Sequence, residues 1–183
     1  MNWRGGLVGL VCCLLMMGLH IGTGEFPHTR PVNGEVGTPG RLYESTVTVN
    51  SFTTGQDLYE GRVAKGRTPV IYLMVSVTVA TTGREQRPGW KVGGISGDRT
   101  FSPRTTLFVP QPGFRRTQDV VFELDATDLE GFAITFLDQG LIYVFDNQLV
   151  IDLGITAERA AELTRRGRDA TVRATTGYSE VIR

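Results

Sequence analysis

The sequence predicts an all-β fold: an antiparallel β-sandwich of seven or eight strands, with an N-terminal membrane helix and a short C-terminal helix. Residues 70–82 alternate apolar and polar side chains over nine positions and are rich in β-branched types, as in a half-buried strand. Similar short patterns recur along the chain, separated by turn residues. No helical segment lies between them, so the crossovers that a parallel sheet needs are missing.

The predicted strands follow one another at short intervals, and the clearest of them have one apolar face. The strands cover Tyr43–Phe52, Val70–Thr82, Trp90–Ile95, Arg99–Phe101, Thr117–Asp125, Phe132–Leu137, Leu141–Phe145 and Gln148–Leu153. Ser96-Gly97-Asp98 predicts a hairpin between the third and fourth strands. The predicted inward residues are Ile71, Leu73, Val75, Val77, Val79, Val120, Phe122, Leu124, Phe132, Ile134 and Phe136.

The N-terminal segment, residues 1–24, predicts either a membrane anchor or a cleaved signal peptide. Arg4 precedes the uncharged run Gly5–Gly24, and a cation before an apolar run stays on the cytoplasmic side. That run reaches the roughly 20 residues that a spanning helix needs. Gly22-Thr23-Gly24 is a poor version of the small-x-small cleavage site. We therefore favour a retained anchor, keep cleavage as the alternative, and expect everything from Glu25 onward to be extracytoplasmic.

Three further regions follow the membrane segment. Residues 25–40 are rich in proline and glycine and predict an extended spacer. Residues 41–154 contain the predicted sandwich. Residues 155–183 predict one helix and a basic tail: Thr156 is the expected N-cap, Glu162 and Arg166 are spaced to pair, and Gly167 is expected to end the helix in a left-handed turn.

The distribution of reactive residues excludes several kinds of chemistry. Both cysteines, Cys12 and Cys13, lie in the membrane segment, and the two histidines are His20 and His28. The predicted domain therefore lacks a thiol or imidazole for a nucleophile, a Ser-His-Asp triad or a His/Cys metal site. All 19 acidic residues and 18 of the 19 basic residues follow Gly24. This near neutrality argues against nucleic acid as a partner. We expect no catalytic residue, no metal and no cofactor.

Two groups of residues could still suggest a site. A carboxylate cluster consists of Asp119, Glu123, Asp125, Asp128 and Glu130. We interpret it mainly as turn chemistry, with a calcium site and a glycosidase-like pair as alternatives. Gly93-Gly94 lacks the following helix and Lys-Ser/Thr pair of a phosphate loop, so a strand kink or bulge is the preferred interpretation.

The candidate contact residues are aromatic and basic. Trp90 is either core filler or an exposed contact, and the apolar loop Phe108–Phe114 is either a crossover closing the sandwich or a binding surface. Arg165, Arg166 and Arg168 make the C-terminal region basic. They predict either a solvated face or contact with anionic lipid or a partner. The candidate contact set is Trp90, Phe108, Phe114, Arg165, Arg166 and Arg168.

The order of motifs resembles a known family. Gly97-Asp98-Arg99-Thr100-Phe101 follows the long strand, then come Pro112-Gly113-Phe114 and Val120-Val121-Phe122-Glu123-Leu124. This order resembles the Ig-like extracytoplasmic domains of domain of unknown function 4352, which are similar in fold to the small secreted immunogenic antigen of mycobacteria. Leu124-Asp125 stands where that family often has a proline. The ending Val150–Gly154 resembles actinobacterial members with one membrane helix.

The resemblance covers Gly40–Gly154 and implies an Ig-like sandwich without established catalytic residues. The leading hypothesis is a non-enzymatic, single-pass accessory subunit of a bacterial membrane or envelope complex, with an integral membrane protein as its partner. The alternative is a secreted ligand-binding or antigen-like sandwich, released by cleavage near Gly24. An enzyme that uses carboxylates alone is a third hypothesis.

Overall fold

Strands with one apolar face pair into two sheets that pack face to face, in a computed structural model that describes residues 30–83, 90–138 and 147–182. The strands within these ranges are β1 (Arg30–Glu35), β2 (Gly40–Leu42), β3 (Ser45–Glu60), β4 (Val63–Thr81), β5 (Trp90–Ser96), β6 (Arg99–Phe101), β7 (Phe114–Leu124), β8 (Ala133–Asp138), β9 (Asn147–Asp152), β10 (Thr171–Ala174) and β11 (Tyr178–Val181). A short 3₁₀ turn covers Ala126–Asp128, and helix α1 covers Ala157–Gly167. The predicted β-sandwich is therefore confirmed, but the prediction of seven or eight strands was wrong, since the described residues form eleven.

The two sheets are mostly antiparallel. One has the strand order β1-β9-β8-β5-β6, and the other has the order β10-β3-β4-β7-β11, with β2 also paired to β3. Two pairs, β1 with β9 and β10 with β3, are parallel. The prediction of a purely antiparallel sandwich was wrong for these pairs. In each, a short terminal strand joins the edge of a strand that is distant in sequence.

The core forms where the predicted inward positions meet. Ile71, Leu73, Val75, Val77 and Val79 on β4 are buried, as are the predicted inward residues of β7 and β8. The ring of Phe132 packs edge-on against Phe122 of the other sheet, with 5.2 Å between the ring centroids. Period-two alternation thus located the core correctly.

The predicted spacer, residues 25–40, is wrong over its described part. Arg30–Glu35 forms β1, which pairs with β9 and places Val32 opposite Leu149. Proline is tolerated in an edge strand, where a missing N–H costs no ladder hydrogen bond, so Pro31 does not prevent this pairing. Gly40 packs on Leu149 so closely that a Cβ there would lie 2.8 Å from Leu149 Cδ1. Residues 25–29 lie outside the described residues.

The predicted basic tail is also wrong, because the chain after α1 returns to the sheet. Thr171–Ala174 pairs with the far half of β3, and Tyr178–Val181 pairs with β7. Val172 and Ala174 are buried and cover a second small core of Leu58, Tyr72 and Val121. A four-residue strand is too short for its alternation to stand out among arginines and threonines.

Helix α1 begins as predicted and ends differently. Thr156 Oγ1 accepts a hydrogen bond from the Arg159 N–H at 3.3 Å, which confirms the N-cap. Gly167 is the last helical residue, and the left-handed conformation occurs at Asp169, with φ of 60°. A Cβ at Gly167 would lie 2.8 Å from Ile71 Cδ1. Close packing on the core therefore accounts for this glycine.

Among the residues that the structure describes, no helix is both long and apolar enough to cross a membrane. The segment predicted to do so, residues 1–24, lies outside them, as does the predicted strand Leu141–Phe145.

The hairpin between β5 and β6 is confirmed, with Gly97 at its turn in the left-handed region, φ 53°.

Residues 102–113 connect β6 in one sheet to β7 in the other, which supports the predicted crossover. Gln118 holds this connection from within the structure, with its side chain 2% exposed. Its Oε1 accepts from the Phe108 N–H at 3.0 Å, and its Nε2 donates to the Phe108 carbonyl at 2.7 Å. One buried amide therefore satisfies both backbone groups of a loop residue.

We predict that Gly94→Ala destabilises the domain. The added Cβ would lie 2.3 Å from Phe132 Cζ in the core, and overpacking of this kind costs about 1–3 kcal/mol. The free energy of unfolding from urea denaturation measures the effect. Gly93→Ala is the matched control, since its Cβ would meet Thr135 Oγ1 at 3.1 Å. Equal stability of the two variants would contradict the prediction.

We predict that Gln118→Leu loosens the crossover. The Phe108 N–H and carbonyl lose their partners, and an unsatisfied buried polar group costs about 1–3 kcal/mol. Hydrogen exchange at the Phe108 amide should accelerate, alongside a lower free energy of unfolding. Gln111→Leu applies the same change to an exposed residue of the same loop and should leave the exchange rate unchanged. Unaltered exchange in Gln118→Leu would refute the role of this amide.

Candidate interaction groove beside helix α1

Helix α1 packs on the sandwich through one face and leaves a groove along another. Its buried residues, Ala160, Leu163 and Gly167, follow helical spacing. Thr54 Oγ1 on β3 donates to the Leu163 carbonyl at 2.8 Å, which fixes the helix against the sheet. The neighbouring helix face carries the small side chains of Ala157 and Ala161, which line a depression together with residues of the 3₁₀ turn.

The space between α1 and the 3₁₀ turn is an open groove of about 560 Å³. It is lined by Ala126, Thr127, Glu130, Ala157, Ala160, Ala161, Thr164, Arg165 and Arg168. A second depression of about 280 Å³ is lined by Gln56, Pro69, Val70, Ile71, Asp125, Ala126, Thr164 and Arg168. Since Ala126, Thr164 and Arg168 line both depressions, we treat them together as the α1 groove.

The wall opposite the helix is held in place by an arginine. Arg99 Nη1 lies 2.6 Å from Asp128 Oδ2 and 3.6 Å from Asp125 Oδ2. Ser96 Oγ donates to the Glu130 carbonyl at 3.0 Å. These contacts tie the 3₁₀ turn to the β5–β6 hairpin, so the groove has a fixed wall.

The carboxylate cluster behaves as the turn interpretation predicts at Asp125 and Asp128. Both carboxylates form an ion pair with the Arg99 guanidinium. Glu123 instead bonds to Thr68 and Arg104, and Asp119 accepts from Thr175. In residues 30–83, 90–138 and 147–182 no group of three or more His, Cys, Asp or Glu side chains could hold a metal ion.

The charged residues of α1 divide into a paired and an unpaired set. Glu162 lies 2.5 Å from both Arg159 and Arg166, which confirms the predicted Glu162–Arg166 pair. The hydrogen bond from Arg159 contributes most to holding the pKa of Glu162 below its ordinary value. Desolvation opposes this shift, and the charges of Arg166, Arg159 and Arg165 add to it. The other two arginines at this end of the helix, Arg165 and Arg168, lie on the groove side.

Arg165 and Arg168 are exposed and line the groove, and within the described residues neither side chain has a hydrogen bond or an ion pair. The Thr127 hydroxyl and the Glu130 carboxylate also have no partner there. Thr164 is already used, because its hydroxyl donates to the Ala160 carbonyl at 2.8 Å. The groove thus presents two guanidinium groups, one hydroxyl and one carboxylate to a ligand.

The structure divides the six predicted contact residues among three places. Arg165 and Arg168 line the groove, whereas Arg166 pairs with Glu162. Phe108 is 53% exposed, and the Arg116 guanidinium lies 5.4 Å from its ring centroid. Phe114 is half-buried at the start of β7, two residues before Arg116 and hence on the same face of the strand.

Trp90 lies apart from both places. It is the first residue of β5, is half-buried and packs against the main core, which supports the core-filler interpretation. Gly93 and Gly94 lie within β5, where Gly94 gives room to the Phe132 ring.

Sequence reasoning missed most of the groove. Ala126, Thr127, Ala157 and Ala161 are small residues from two separate segments. Alanine in a helix is the default helix former, so no feature of these residues singles them out. Only the approach of the 3₁₀ turn to the helix makes them a surface.

Comparison with known proteins finds two similar solved structures. No protein-family model matches the chain, and no curated protein matches it in sequence. The crystal structure of the yjhA protein from Bacillus subtilis is similar at 13% identity, with 64% of this chain and 99% of that chain covered and a TM-score of 0.45. An uncharacterized β-sandwich protein from Clostridium difficile 630 is similar at 9% identity, with 70% and 97% covered and a TM-score of 0.42.

Proposed function

We propose that this chain is a non-enzymatic interaction domain that binds a protein partner through the α1 groove. The observation that carries the proposal is the pair of guanidinium groups, Arg165 and Arg168, which line a groove of small side chains and have no ion pair with any described residue. Arginine is the residue most suited to planar, bidentate contacts at interfaces. Conversely, the helix arginines that lie away from the groove, Arg159 and Arg166, have intramolecular partners.

The shape of the groove favours a macromolecular partner. It is an open trough between a helix and a turn, whereas sites for small molecules bury most of the surface of their ligand. Its fixed walls, tied down through Arg99 and Thr54, reduce the ordering cost that binding has to overcome. A segment of another protein lying along the helix fits this shape.

The proposal that the domain is not an enzyme is supported by the state of its carboxylates. Glu123 and Asp128 are each engaged by an arginine. Glu130 has no partner among the described residues, but hydrolysis by carboxylates needs a second carboxyl beside it. A general acid or base needs a carboxyl that is free to exchange its proton with a substrate. Engagement by arginine suits a structural role better.

The place of action follows from the N-terminal residues. We propose that the domain lies on the extracytoplasmic side of a bacterial membrane, held by residues 5–24, as an accessory subunit of a membrane or envelope complex. The Ig-like family resemblance over Gly40–Gly154 is part of this proposal. The competing arrangement is release by cleavage near Gly24, which gives a secreted binding protein. The mass of the mature protein distinguishes the two, because it shows whether the chain starts near Met1 or near Glu25.

We predict that a partner is lost when the groove arginines are replaced. Full-length, C-terminally tagged protein purified from its native membranes in mild detergent should retain a stoichiometric membrane partner. The Arg165→Ala/Arg168→Ala variant should recover at least about tenfold less of it, since each charge-assisted contact contributes on the order of 1–3 kcal/mol. Quantitative mass spectrometry of the eluates measures the ratio.

Arg166→Ala is the matched control, because Arg166 lies on the same helix, is exposed and does not line the groove. It should recover the partner at the wild-type level. Equal recovery by the double variant would refute the groove as the binding surface. A lone protein in the medium that starts near Glu25 would refute the accessory-subunit arrangement.

A further inference from the structure

We infer that the α1 groove takes a short acidic peptide segment of its protein partner, with the carboxylates of the segment at the C-terminal end of α1. This inference rests on the proposed function and narrows it to one partner chemistry. Arg165 and Arg168 are three residues apart near the C-terminal end of α1 and both line the groove. Side chains at this spacing lie on one side of a helix, so both guanidinium groups reach the same ligand.

The two arginines decide the electrostatics at this end of the groove. The C-terminus of a helix carries about half a negative charge, which by itself disfavours an anion. Two full positive charges, which have no ion-pair partner among the described residues, exceed that partial charge. A guanidinium fork binds a carboxylate bidentately, as it does a phosphate, and carboxylates are the anions that an unmodified peptide carries. The arrangement therefore selects an aspartate or glutamate side chain, or a chain-terminal carboxylate.

The opposite end of the groove has the reverse polarity. Glu130 lines the groove beside the start of α1, because the N–H of the next residue, Gly131, donates to the Ile155 carbonyl at 2.9 Å and the helix begins at Ala157. The Glu130 carboxylate has no partner within the described residues and suits a lysine, an arginine or a backbone N–H of the ligand. Charge along the groove therefore gives the bound segment a direction, with its acidic residues beside Arg165 and Arg168.

The dimensions set the length of the segment. The lining residues on this side run from Ala157, the first residue of α1, to Arg168, its C-cap, a distance of about 16 Å at 1.5 Å per residue. An extended peptide covers that distance with about five residues. The alanines of the groove floor leave room for small or medium apolar side chains between the charged ends.

The surroundings of the groove favour a peptide over a membrane surface. The groove carries Glu130 as well as the two arginines, and Glu158 lies on the exposed first turn of α1. A flat anionic bilayer presents charge of one sign, so these carboxylates repel it where the arginines attract it. A peptide carries groups of both signs and can place a cation or a backbone N–H beside Glu130. The lipid contact predicted from the arginines alone thus becomes the competing outcome.

A random seven-residue peptide library displayed on phage tests the inference. The library is panned against full-length protein in detergent micelles, and the selected sequences are read in bulk. We expect peptides selected by the wild-type protein to be enriched in Asp and Glu. The amount of these acidic peptides that is recovered should fall at least about tenfold with Arg165→Ala/Arg168→Ala and stay at the wild-type level with Arg166→Ala. Circular dichroism and thermal melting check that the exposed substitutions leave the fold intact.

Two outcomes would overturn the inference. One is selection of peptides without acidic enrichment. The other is binding to phosphatidylglycerol vesicles that depends on Arg165 and Arg168 and that selected peptides do not displace. If the native partner is still lost with the double variant, the proposed function survives and only the acidic chemistry fails. If neither partner nor peptide responds to the two substitutions, both proposals fail together.

Discussion

The fold depends on one constraint: the inner face of β4 has to be covered along its length. Five apolar residues at alternate positions of this strand are buried, and β4 pairs with β3 on one side and with β7 on the other. Placing each such side chain out of water stabilises the fold by about 1.5–3 kcal/mol. The second sheet covers most of this face through Phe132, Ile134 and Phe136. Helix α1 covers Ile71, near one end of the row.

The α1 groove is a consequence of that requirement. Ala160, Leu163 and Gly167 of the helix are buried against the end of the core. Gly167 lets the helix approach Ile71 closely. The face next to these residues is left with alanines and arginines. The 3₁₀ turn is fixed separately, by Arg99 acting on Asp128 from the β5–β6 hairpin. Two elements that are each anchored for their own reasons therefore stand apart at a fixed distance, which suits a pre-organised binding surface.

Much of the fold could be predicted from sequence, because alternation and turn residues are local signals. Residues 70–81 of β4, most of β7, the β5–β6 hairpin and the Thr156 cap follow directly from them. The first part of β4 (63–69), the second half of β3 (53–60) and the strands β1, β2, β10 and β11 were not predicted in this way. Pro31 and the nearby glycines suggested a spacer, and the arginines after α1 suggested a solvated tail. These segments become strands because distant edges of β9, β3 and β7 offer hydrogen-bond partners, a tertiary effect that local composition does not report.

The candidate surface shows the same division. Arg165 and Arg168 were identified from charge, but charge could not separate them from Arg166, which the geometry of Glu162 neutralises. Phe108 was identified from its apolar loop, whereas the amide of Gln118 that holds the loop gave no signal. A buried glutamine is recognised only when the backbone groups that it satisfies are in view. The type of side chain therefore identified the candidate residues, and the ion pairs in the structure showed which of them lack a partner among the described residues.

The position of β1 limits how far the domain can lie from a membrane if residues 5–24 span it, as proposed. With residues 5–24 in the bilayer, as proposed, the expected spacer would have allowed sixteen residues of reach, roughly 55 Å when extended. Since β1 starts at Arg30, only residues 25–29 remain between the bilayer segment and the sheet, a reach of at most about 18 Å. The sandwich would then be confined close to the lipid headgroups. Its partners would be proteins whose extracytoplasmic parts rise only a short distance from the same surface.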